Sequence, residues 1–521
     1  MCTPSYCFDD ILIKPLYSNI SSRNEISLTT NIASGNRELI LKTPLISSPM
    51  DTVTETTMAI KMALSGGLGI IHRFNTINDQ VEQVKRVKRY LQYIIKNPYT
   101  LTLDTDYNEY LDKRDELNIN SFCIVDNENN LLNIITKRDI KFAEYNIKSA
   151  TKNNFNTLKI ADIIKLLNKQ MNILHTIKIS GELPTDLQSV RIILDNAKPL
   201  MIKYNIEKIP VVEENTNKLI GLITWKNVEH FYANENLVTL DKFGRLCVGA
   251  AIGIVGDYKE RLDNLINAGV DLICIDVANG YNENVIKISR NIRMQYPNIV
   301  IMVGNVCEAQ GFKALAECDI DCIRVGIGNG SICTTRGETG IGFGQFSAVN
   351  ECFDCKVKYG FDVKIICDGG SLGKTGNKVK ALASGASAVM LGRTLAATEE
   401  SPGQVIIRNG KRFKYIRGMA STMANISKQE ADNSIATVST NSKKRKLNTK
   451  FTAEGVDGEQ ELRGSVVDLI EQINGGLRSG LSYLGAHNMT ELHGKRAKNE
   501  IEFCVSTAIG LSETGIRVKT Y

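Results

Sequence analysis

Eight short apolar runs, each ending at a glycine or polar residue, alternate with segments of helical period along most of this chain. The runs are rich in β-branched residues and apolar on both faces, which is typical of buried parallel strands. Helical segments such as Tyr258–Ala268 and Gly376–Ser384 follow them. Eight such units predict an α/β fold, a (β/α)8 TIM barrel, with its chemistry at the carboxyl ends of the strands. The predicted strands are Pro44–Ser48, Gly69–His72, Leu246–Gly253, Asp271–Asp276, Ile299–Asn305, Cys322–Gly326, Val363–Asp368 and Ala388–Gly392.

The series is interrupted between Ile71 and Leu246 by a stretch with two similar halves. Each half has a strand pattern, a turn, a second strand and the start of a helix, so we predict an internal repeat. Between the halves, Thr151–Lys169 is rich in Asn and Lys and is expected to be a surface excursion. The repeat resembles a tandem CBS (Bateman) domain inserted in a barrel loop. The matching segments are 120–126 with 134–139, and 209–212 with 221–227.

We therefore expect residues 1–93 to form the first part of the barrel, 94–235 the inserted tandem CBS domain, and 236–521 the rest of the barrel. Residues 425–452 form a second irregular stretch, which contains the basic run Lys443–Lys446. One interpretation is a disordered linker. The other is a flap over the barrel mouth, because long loops in compact domains often serve as lids.

Composition narrows the classes of function. The chain has 521 residues, and its 63 Lys and Arg against 57 Asp and Glu give a net charge of +6 without a basic stripe, so no nucleic acid partner is expected. It has no apolar run of the roughly 18–20 residues that a membrane helix needs and no secretory signal, so we expect no membrane partner and a cytoplasmic location. The 13 cysteines are expected to be reduced thiols. Cys352 and Cys355 lie in a helical pattern without a second ligand pair, so no zinc site is expected.

The strongest chemical signal is the loop from Arg324 to Arg336, which follows the sixth predicted strand. Three alternate glycines let the backbone turn sharply and expose its amides and carbonyls. Cys333 lies in this loop with Arg336 close by, an environment that favours the thiolate form of a cysteine. An isolated cysteine is more often a small buried residue. In this loop at a barrel mouth, Cys333 is a candidate nucleophile, and the family resemblance given below favours that role.

Two further glycine tracts predict a phosphate site. Asp368-Gly369-Gly370 ends the seventh strand and Leu391-Gly392-Arg393 ends the eighth. Loops after these two strands commonly bind phosphate in this fold through backbone N–H groups. Asp368 suits a ribose diol, because a carboxylate can accept hydrogen bonds from both hydroxyls.

Several motifs together resemble the IMP dehydrogenase/GMP reductase family: Ser48–Val53, the Gly326–Arg336 loop, Asp368–Gly370 and Gly476–Gly480. The resemblance runs from Phe8 nearly to the end of the chain. It implies that Cys333 attacks C2 of a purine monophosphate, GMP or IMP, with Thr335 and Glu454 as further catalytic residues and Glu454 also at the purine edge. It implies that Asp276, Asn279, Gly280 and Gly326 face the cofactor. The implied nucleotide site is Ser48, Met50, Asn305, Ser331, Asp368, Gly370, Gly392, Arg393, Met419, Ala420 and Glu454.

The resemblance covers two activities, a reductase that converts GMP to IMP with NADPH and a dehydrogenase that converts IMP to XMP with NAD. Family dehydrogenases carry an Arg-Tyr pair on the flap, whereas here Arg445 is followed by Lys446. Without that pair the water-activating base is missing, a loss typically worth about 10²–10⁴-fold in rate. Against the reductase, Thr422 stands where short GMP reductases carry the glutamate that pairs with the catalytic threonine. We favour the reductase and keep the dehydrogenase as the alternative.

The resemblance also implies an ion, an assembly and a control site. A potassium site would use Gly328, Gly330 and Cys333 with Glu513 of a neighbouring subunit, although the sequence around Glu513 matches loosely. The implied assembly is a homotetramer or an octamer. Purine nucleotide effectors are expected in the tandem CBS domain, where Asp139 would contact the ribose; Asn227, at the matching position of the other half, lacks the charge. The alternative is a purely structural module.

Overall fold

The computed structural model describes residues 4–91, 93–117, 119–150, 158–167, 175–184, 186–234, 237–371, 373–424, 426 and 452–507. The chain divides into two compact units. The first comprises Met1–Tyr90, Asn236–Asp241 and Arg245–Tyr521, and the second comprises Leu91–Glu235 with Lys242–Gly244. Within the described residues, no helix has the length and apolar character needed to cross a membrane.

The first unit is built on a closed barrel of eight parallel strands, so the predicted TIM barrel is confirmed. Every predicted strand forms. In chain order they are β1 (Leu45–Ser47), β2 (Leu68–Ile71), β3 (Gly249–Ile252), β4 (Leu272–Asp276), β5 (Val300–Val306), β6 (Cys322–Val325), β7 (Lys364–Asp368) and β8 (Ala388–Leu391). The surrounding helices are Thr56–Leu64, Ile77–Arg89, Tyr258–Asn267, Glu283–Gln295, Ala309–Ala316, Gln345–Tyr359, Thr375–Ala383 and Arg393–Ala396.

The amino-terminal end of the barrel is closed by a short hairpin of strands Thr30–Asn31 and Ile40–Leu41. Its buried side chains, such as Ile32 and Leu41, join one apolar cluster with inward-facing residues of the barrel strands. Because the hairpin and the barrel interior exclude water together, the barrel is a packed core and not a pore.

A buried carboxylate connects this hairpin region to the barrel. The Asp321 side chain is 0% exposed and accepts hydrogen bonds from Arg37 Nε (2.7 Å) and Arg293 Nη2 (2.5 Å). It also accepts from the backbone N–H groups of Ser34 (3.0 Å) and Ile301 (2.8 Å). A buried charge is tolerated only when it is paired and fully hydrogen-bonded, and Asp321 meets that condition.

Additional elements of the first unit flank the barrel. Lys411–Arg417 pairs with both Val405–Arg408 and Asp457–Glu461 in an antiparallel sheet, and Ile11–Ile13 pairs with Phe503–Val505. The short helix Thr335–Thr339 follows the cysteine loop, and helices Val466–Tyr483 and Met489–Ala497 lie near the carboxyl terminus. Two 3-10 turns, Phe8–Asp10 and Arg23–Glu25, lie near the amino terminus.

The second unit contains the same order of elements twice: strand, helix, strand, strand, helix. In each half the first strand pairs parallel with the second, which forms an antiparallel hairpin with the third. The additional strand Ile95–Lys96 pairs with the second hairpin. The halves are Thr100–Leu101, Tyr107–Leu117, Ser121–Val125, Leu131–Thr136 and Lys137–Ala150, and then Ile177–Ile179, Leu187–Tyr204, Lys208–Glu213, Leu219–Thr224 and Trp225–Asn234.

Two segments differ from, or lie beyond, what the sequence predicts. The excursion expected at Thr151–Lys169 is wrong for its central part, because Ile160–Leu166 is a helix whose Ile160 and Ile163 are buried in an apolar cluster. Burial of these isoleucines stabilises a packed helix even though most of the surrounding residues are polar. The flap expected at 425–452 lies outside the described residues, apart from Ile426 and Thr452.

Candidate active site

A cavity of about 420 Å³ opens at the carboxyl ends of the barrel strands. It contains most of the residues that the sequence singled out, brought from six or more separate segments of chain. Among the predicted residues, those that line it are Ser48, Met50, Asp276, Asn305, Gly326, Gly328, Gly330, Cys333, Thr335, Asp368, Met419, Ala420 and Glu454.

A smaller cavity of about 100 Å³ shares Ser48, Met50 and Asp368 with the first. It contains the remaining predicted nucleotide-site residues, Ser331, Gly370, Gly392 and Arg393. Gly370 has φ +74°, a conformation that favours glycine, and a side chain there would meet Gln345. The loops after β7 and β8 therefore meet at one small recess, as the sequence predicts for a phosphate subsite.

The reactive-cysteine candidate has two polar neighbours. The Cys333 thiol donates to the Thr335 hydroxyl, with Sγ and Oγ1 3.1 Å apart, and that hydroxyl donates to Glu454 Oε2 at 2.8 Å. All three side chains are partly exposed to the cavity. Arg336 donates to the carbonyl of Phe343 instead of to the thiol. The sulfur, hydroxyl and carboxylate thus form a continuous path along which a proton can move.

The backbone holds this arrangement in place. Thr334 N–H donates to the Glu454 carbonyl at 3.0 Å, and Val456 N–H donates to the Ile332 carbonyl at 3.0 Å. Glu454 N–H in turn donates to the Ala420 carbonyl at 3.1 Å. The cysteine loop, residues 454–456 and the segment ending at Ala420 therefore form one small hydrogen-bonded platform.

Hydrogen bonds also connect the cysteine loop to the end of β7. Asn329 donates through Nδ2 to the side-chain oxygen of Gln345 and to the Asp368 carbonyl (3.1 Å). Gln345 is 1% exposed and donates to the Val325 carbonyl at 2.7 Å. At Gly326, with φ +143°, a Cβ would lie 2.4 Å from the Asp368 carbonyl oxygen. Only glycine fits there, which explains the first glycine of the motif.

Two carboxylates lie on opposite sides of a buried arginine at the floor of the cavity. Arg324 donates to Asp276 Oδ1 at 2.5 Å through Nη1 and to Asp368 Oδ2 at 2.7 Å through Nη2. Asn305 Nδ2 also donates to Asp368 Oδ2, at 2.8 Å. The two neighbouring carboxylates raise the pKa of Arg324 above its usual value, although burial of the guanidinium acts in the opposite direction and is the largest single effect.

A cation, Arg73, also lines the cavity. Arg73 lies with its guanidinium 5.4 Å from the Phe74 ring centroid. Its Nε is buried and has no hydrogen-bond partner among the described residues. A guanidinium without a carboxylate partner beside a cavity is suited to an anionic ligand group.

Some predicted residues are not brought into the cavities. Asn279 accepts a hydrogen bond from Tyr281 N–H at 3.0 Å, and Gly280 N–H donates to the Asn305 carbonyl at 2.7 Å, but neither residue lines either of the two cavities described above. Glu513 lies outside the described residues. The potassium site therefore stays a prediction. The Gly330 carbonyl, one of its expected ligands, already accepts from Cys333 N–H at 3.0 Å.

Sequence reasoning assigned no role to Arg324, Arg73 or Gln345. Arg73 directly follows the second predicted strand, so its position at a strand end was a usable signal. Arg324 lies within a strand, and nothing in the sequence pairs it with two aspartates far along the chain. Among the described residues no three His, Cys, Asp or Glu side chains form a metal cluster, and Cys352 and Cys355 lie in one helix as predicted.

A (β/α)8 barrel with a cysteine loop, glycine-rich recesses and paired carboxylates at the same strand ends defines an enzyme of the TIM-barrel class. Comparison with known proteins narrows the class. Residues 5–516 match the family model described as "IMP dehydrogenase / GMP reductase domain". The chain belongs to this family and is a nicotinamide-dependent oxidoreductase.

Similar proteins carry both names. The chain is 38% identical over 507 residues to an inosine-5′-monophosphate dehydrogenase of Nitrosopumilus maritimus, covering 97% of each chain. It is 39% identical over 513 residues to that of Bacillus subtilis, covering 97% of this chain and 94% of the relative. Among solved structures, a Cys-to-Ala variant of Trypanosoma brucei GMP reductase with guanosine 5′-monophosphate matches with a TM-score of 0.80 and 31% identity. The match covers 99% of this chain and 98% of that one.

Proposed function

We propose that the protein is a GMP reductase, which converts GMP and NADPH to IMP, ammonia and NADP. The observation that carries this proposal is the hydrogen bond from Thr335 to Glu454 beside the Cys333 thiol. Expulsion of ammonia requires a group that protonates the leaving nitrogen, and this path supplies one. Short GMP reductases carry a glutamate at the position of Thr422. In this chain Glu454, from another segment, would take its role.

In the proposed reaction the Cys333 sulfur forms a bond to C2 of GMP. The C2–N2 bond then breaks, and the nitrogen takes a proton through Thr335 and leaves as ammonia. This step produces a thioimidate between the sulfur and C2. Hydride from NADPH next adds to C2, the C–S bond breaks, and IMP leaves with the thiolate restored on Cys333. The Asp368 carboxylate and the recess at Gly370, Gly392 and Arg393 would hold the ribose and the phosphate.

For the cofactor we propose NADPH, with Asp276 beside its nicotinamide ribose. This choice follows from the proposed reductase direction. Arg73 suits the cofactor diphosphate, which NADPH and NADH share, because its guanidinium has no ion-pair partner among the described side chains. Arginine is suited to phosphate recognition since its planar fork donates two parallel hydrogen bonds.

Absorbance at 340 nm tests the direction of the reaction. We expect loss of absorbance with GMP plus NADPH and no gain with IMP plus NAD. If NADH forms from IMP plus NAD while GMP plus NADPH shows no change, the protein is an IMP dehydrogenase and the proposal is wrong. A control without nucleotide excludes cofactor decay, and a parallel measurement of released ammonia distinguishes the reductase reaction from non-specific NADPH oxidation.

IMP dehydrogenase is the second candidate. The curated relatives named above, at 38% and 39% identity over nearly the full chain, carry that name. In this direction hydride leaves C2 for NAD, and water then hydrolyses the thioimidate to XMP. The sequence of residues 425–452 does not include the Arg-Tyr pair expected for water activation, which favours the reductase.

Glu454→Gln is expected to slow turnover by about 10²–10⁴-fold while changing the KM for GMP far less. The amide cannot relay a proton to Thr335, whereas its size and its backbone hydrogen bonds are retained. Steady-state kinetics with GMP and NADPH measure both constants. Glu461→Gln, an exposed glutamate on the strand Asp457–Glu461, is the matched control and should behave as wild type. A Glu454→Gln enzyme with unchanged kcat would contradict the proposed proton path.

We propose further that the second unit is a tandem CBS domain that binds purine nucleotides as effectors. Thr136 donates through N–H (2.8 Å) and Oγ1 (2.7 Å) to Asp139 Oδ2 at the start of a helix. Thr224 N–H donates likewise to Asn227 Oδ1 at 3.1 Å. The halves thus repeat one geometry and differ in charge. A solved Trypanosoma brucei GMP reductase holds guanosine 5′-triphosphate, with a TM-score of 0.70 and 27% identity to this chain.

Asp139→Ala is expected to remove or strongly reduce the response of activity to ATP and GTP, because the carboxylate would contact the effector ribose. Activity titrated with each nucleotide measures the response. Asn227→Ala is the comparison, and its effect should be smaller because the neutral amide forms weaker hydrogen bonds than a carboxylate. If Asp139→Ala responds as wild type does, Asp139 is not the effector site.

A further inference from the structure

Arg324 occupies a central position at the floor of the cavity. Its side chain, on β6, is 7% exposed, while those of Asp276 at the end of β4 and Asp368 at the end of β7 are 20% and 18% exposed. Arg324 lines the cavity together with the two carboxylates but is the most buried of the three side chains. Both of its terminal nitrogens donate to these carboxylates, so its main contacts are with protein side chains.

Each carboxylate uses one oxygen for the arginine and keeps the other. Asp276 accepts from Arg324 through Oδ1, and Asp368 accepts from Arg324 and Asn305 through Oδ2. In the described part of the chain, no hydrogen bond reaches Asp276 Oδ2 or Asp368 Oδ1. The guanidinium thus fixes the direction of both carboxylates and leaves one oxygen of each for a ribose hydroxyl.

The geometry requires an arginine in particular. A planar guanidinium presents Nη1 and Nη2 in fixed directions, so one group can donate to two carboxylates on different strands at the same time. A lysine ammonium is a point charge on a flexible stem and does not reproduce this fork. Without the arginine, two carboxylates at the cavity floor would also repel each other across a site of lowered dielectric constant.

We propose that Arg324 is a positioning residue for both ligand sites, holding Asp368 for the nucleotide ribose and Asp276 for the cofactor ribose with a single side chain. This inference rests on the proposed function for the assignment of the two ribose sites. It goes beyond that function in making one buried cation, which acts through two carboxylates, responsible for the affinity of both ligands.

Binding to the full-length Cys333→Ala protein tests the proposal, because this background prevents turnover in either direction. Dissociation constants for GMP and IMP, and for NADPH and NAD, are measured by calorimetry. Asp368→Asn is expected to weaken nucleotide binding at least about tenfold and cofactor binding little, and Asp276→Asn the reverse. Arg324→Lys is expected to weaken both at least about tenfold. Arg408→Lys, whose arginine is exposed and paired with Glu459, is the matched control.

Arg324→Gln is prepared as a second variant in case Arg324→Lys does not fold. Dissociation constants are measured on the variant whose melting temperature equals that of the Cys333→Ala parent. Loss of affinity for one ligand class only, or for neither, would overturn the inference. If instead the two aspartate variants fail to separate nucleotide from cofactor, the assigned ribose sites are wrong, which is a failure of the proposed function. Because both nucleotides and both cofactors are included, the direction of catalysis does not affect the result.

Discussion

Cys333→Ser is expected to lower turnover of GMP by at least about 10³-fold, and of IMP equally if the enzyme runs in the other direction. Serine retains the size and a hydroxyl donor toward Thr335, but an alcohol at neutral pH is a far weaker nucleophile than a thiolate. Both candidate reactions pass through a bond between this sulfur and C2 of the purine. The rate of absorbance change at 340 nm measures the loss.

The matched control is Cys504→Ser, a partly exposed cysteine on the strand Phe503–Val505, which should retain full activity. Mass spectrometry of the intact protein after acid quenching adds an independent observation. Wild type should carry a nucleotide adduct during turnover, and Cys333→Ser should carry none. Full activity of Cys333→Ser toward either nucleotide would refute the covalent mechanism and the site built around it.

Asp321→Ala is expected to destabilise the barrel by about 3–5 kcal/mol, the usual cost of removing one partner from a buried ion pair. The substitution leaves Arg37 and Arg293 near each other without the carboxylate that both contact, and it removes acceptors from the N–H groups of Ser34 and Ile301. Chemical denaturation followed by far-ultraviolet circular dichroism measures the shift in the unfolding midpoint, because the single tryptophan, Trp225, lies in the second unit and not in the barrel.

Asp319 provides the matched control, because it contacts the same Arg37 with a side chain that is 66% exposed. Asp319→Asn should cost no more than about 1 kcal/mol, since exposed ion pairs are screened by water and Asn tolerates the left-handed backbone of this residue (φ +53°). Equal effects of the two substitutions would contradict the view that burial of Asp321 decides the stability of this end of the barrel.

The barrel was predictable because its signal is repeated and local. Each strand is a run of β-branched residues buried on both faces, and each ends in residues that cannot continue a buried strand, such as Asp276 and Asp368. The carboxyl ends of the strands also form the mouth of the barrel, so their positions in the sequence predicted which residues lie close together there. Gly326 is an example in which the residue type alone implied a close backbone approach.

The pairings within the site could not be read from the sequence. Thr335 and Glu454 are 119 residues apart, and the intervening chain gives no register between them. Arg324 was visible as part of a motif, but its partners Asp276 and Asp368 come from two other strands, and only the parallel pairing of β4 through β7 brings the three together. The helix at Ile160–Leu166 was missed because a polar, lysine-rich context concealed three buried isoleucines.

The hydrogen bond from Glu454 N–H to the Ala420 carbonyl has a consequence for how this enzyme can diverge. Both atoms of this bond belong to the backbone, so an exchange of the side chain at position 420 or 454 does not remove it. Evolution can therefore vary the chemistry of the group at position 454 while the backbone next to the Cys333 loop is held at the same place. A barrel of this kind can acquire a second activity by side-chain exchange on an unchanged backbone.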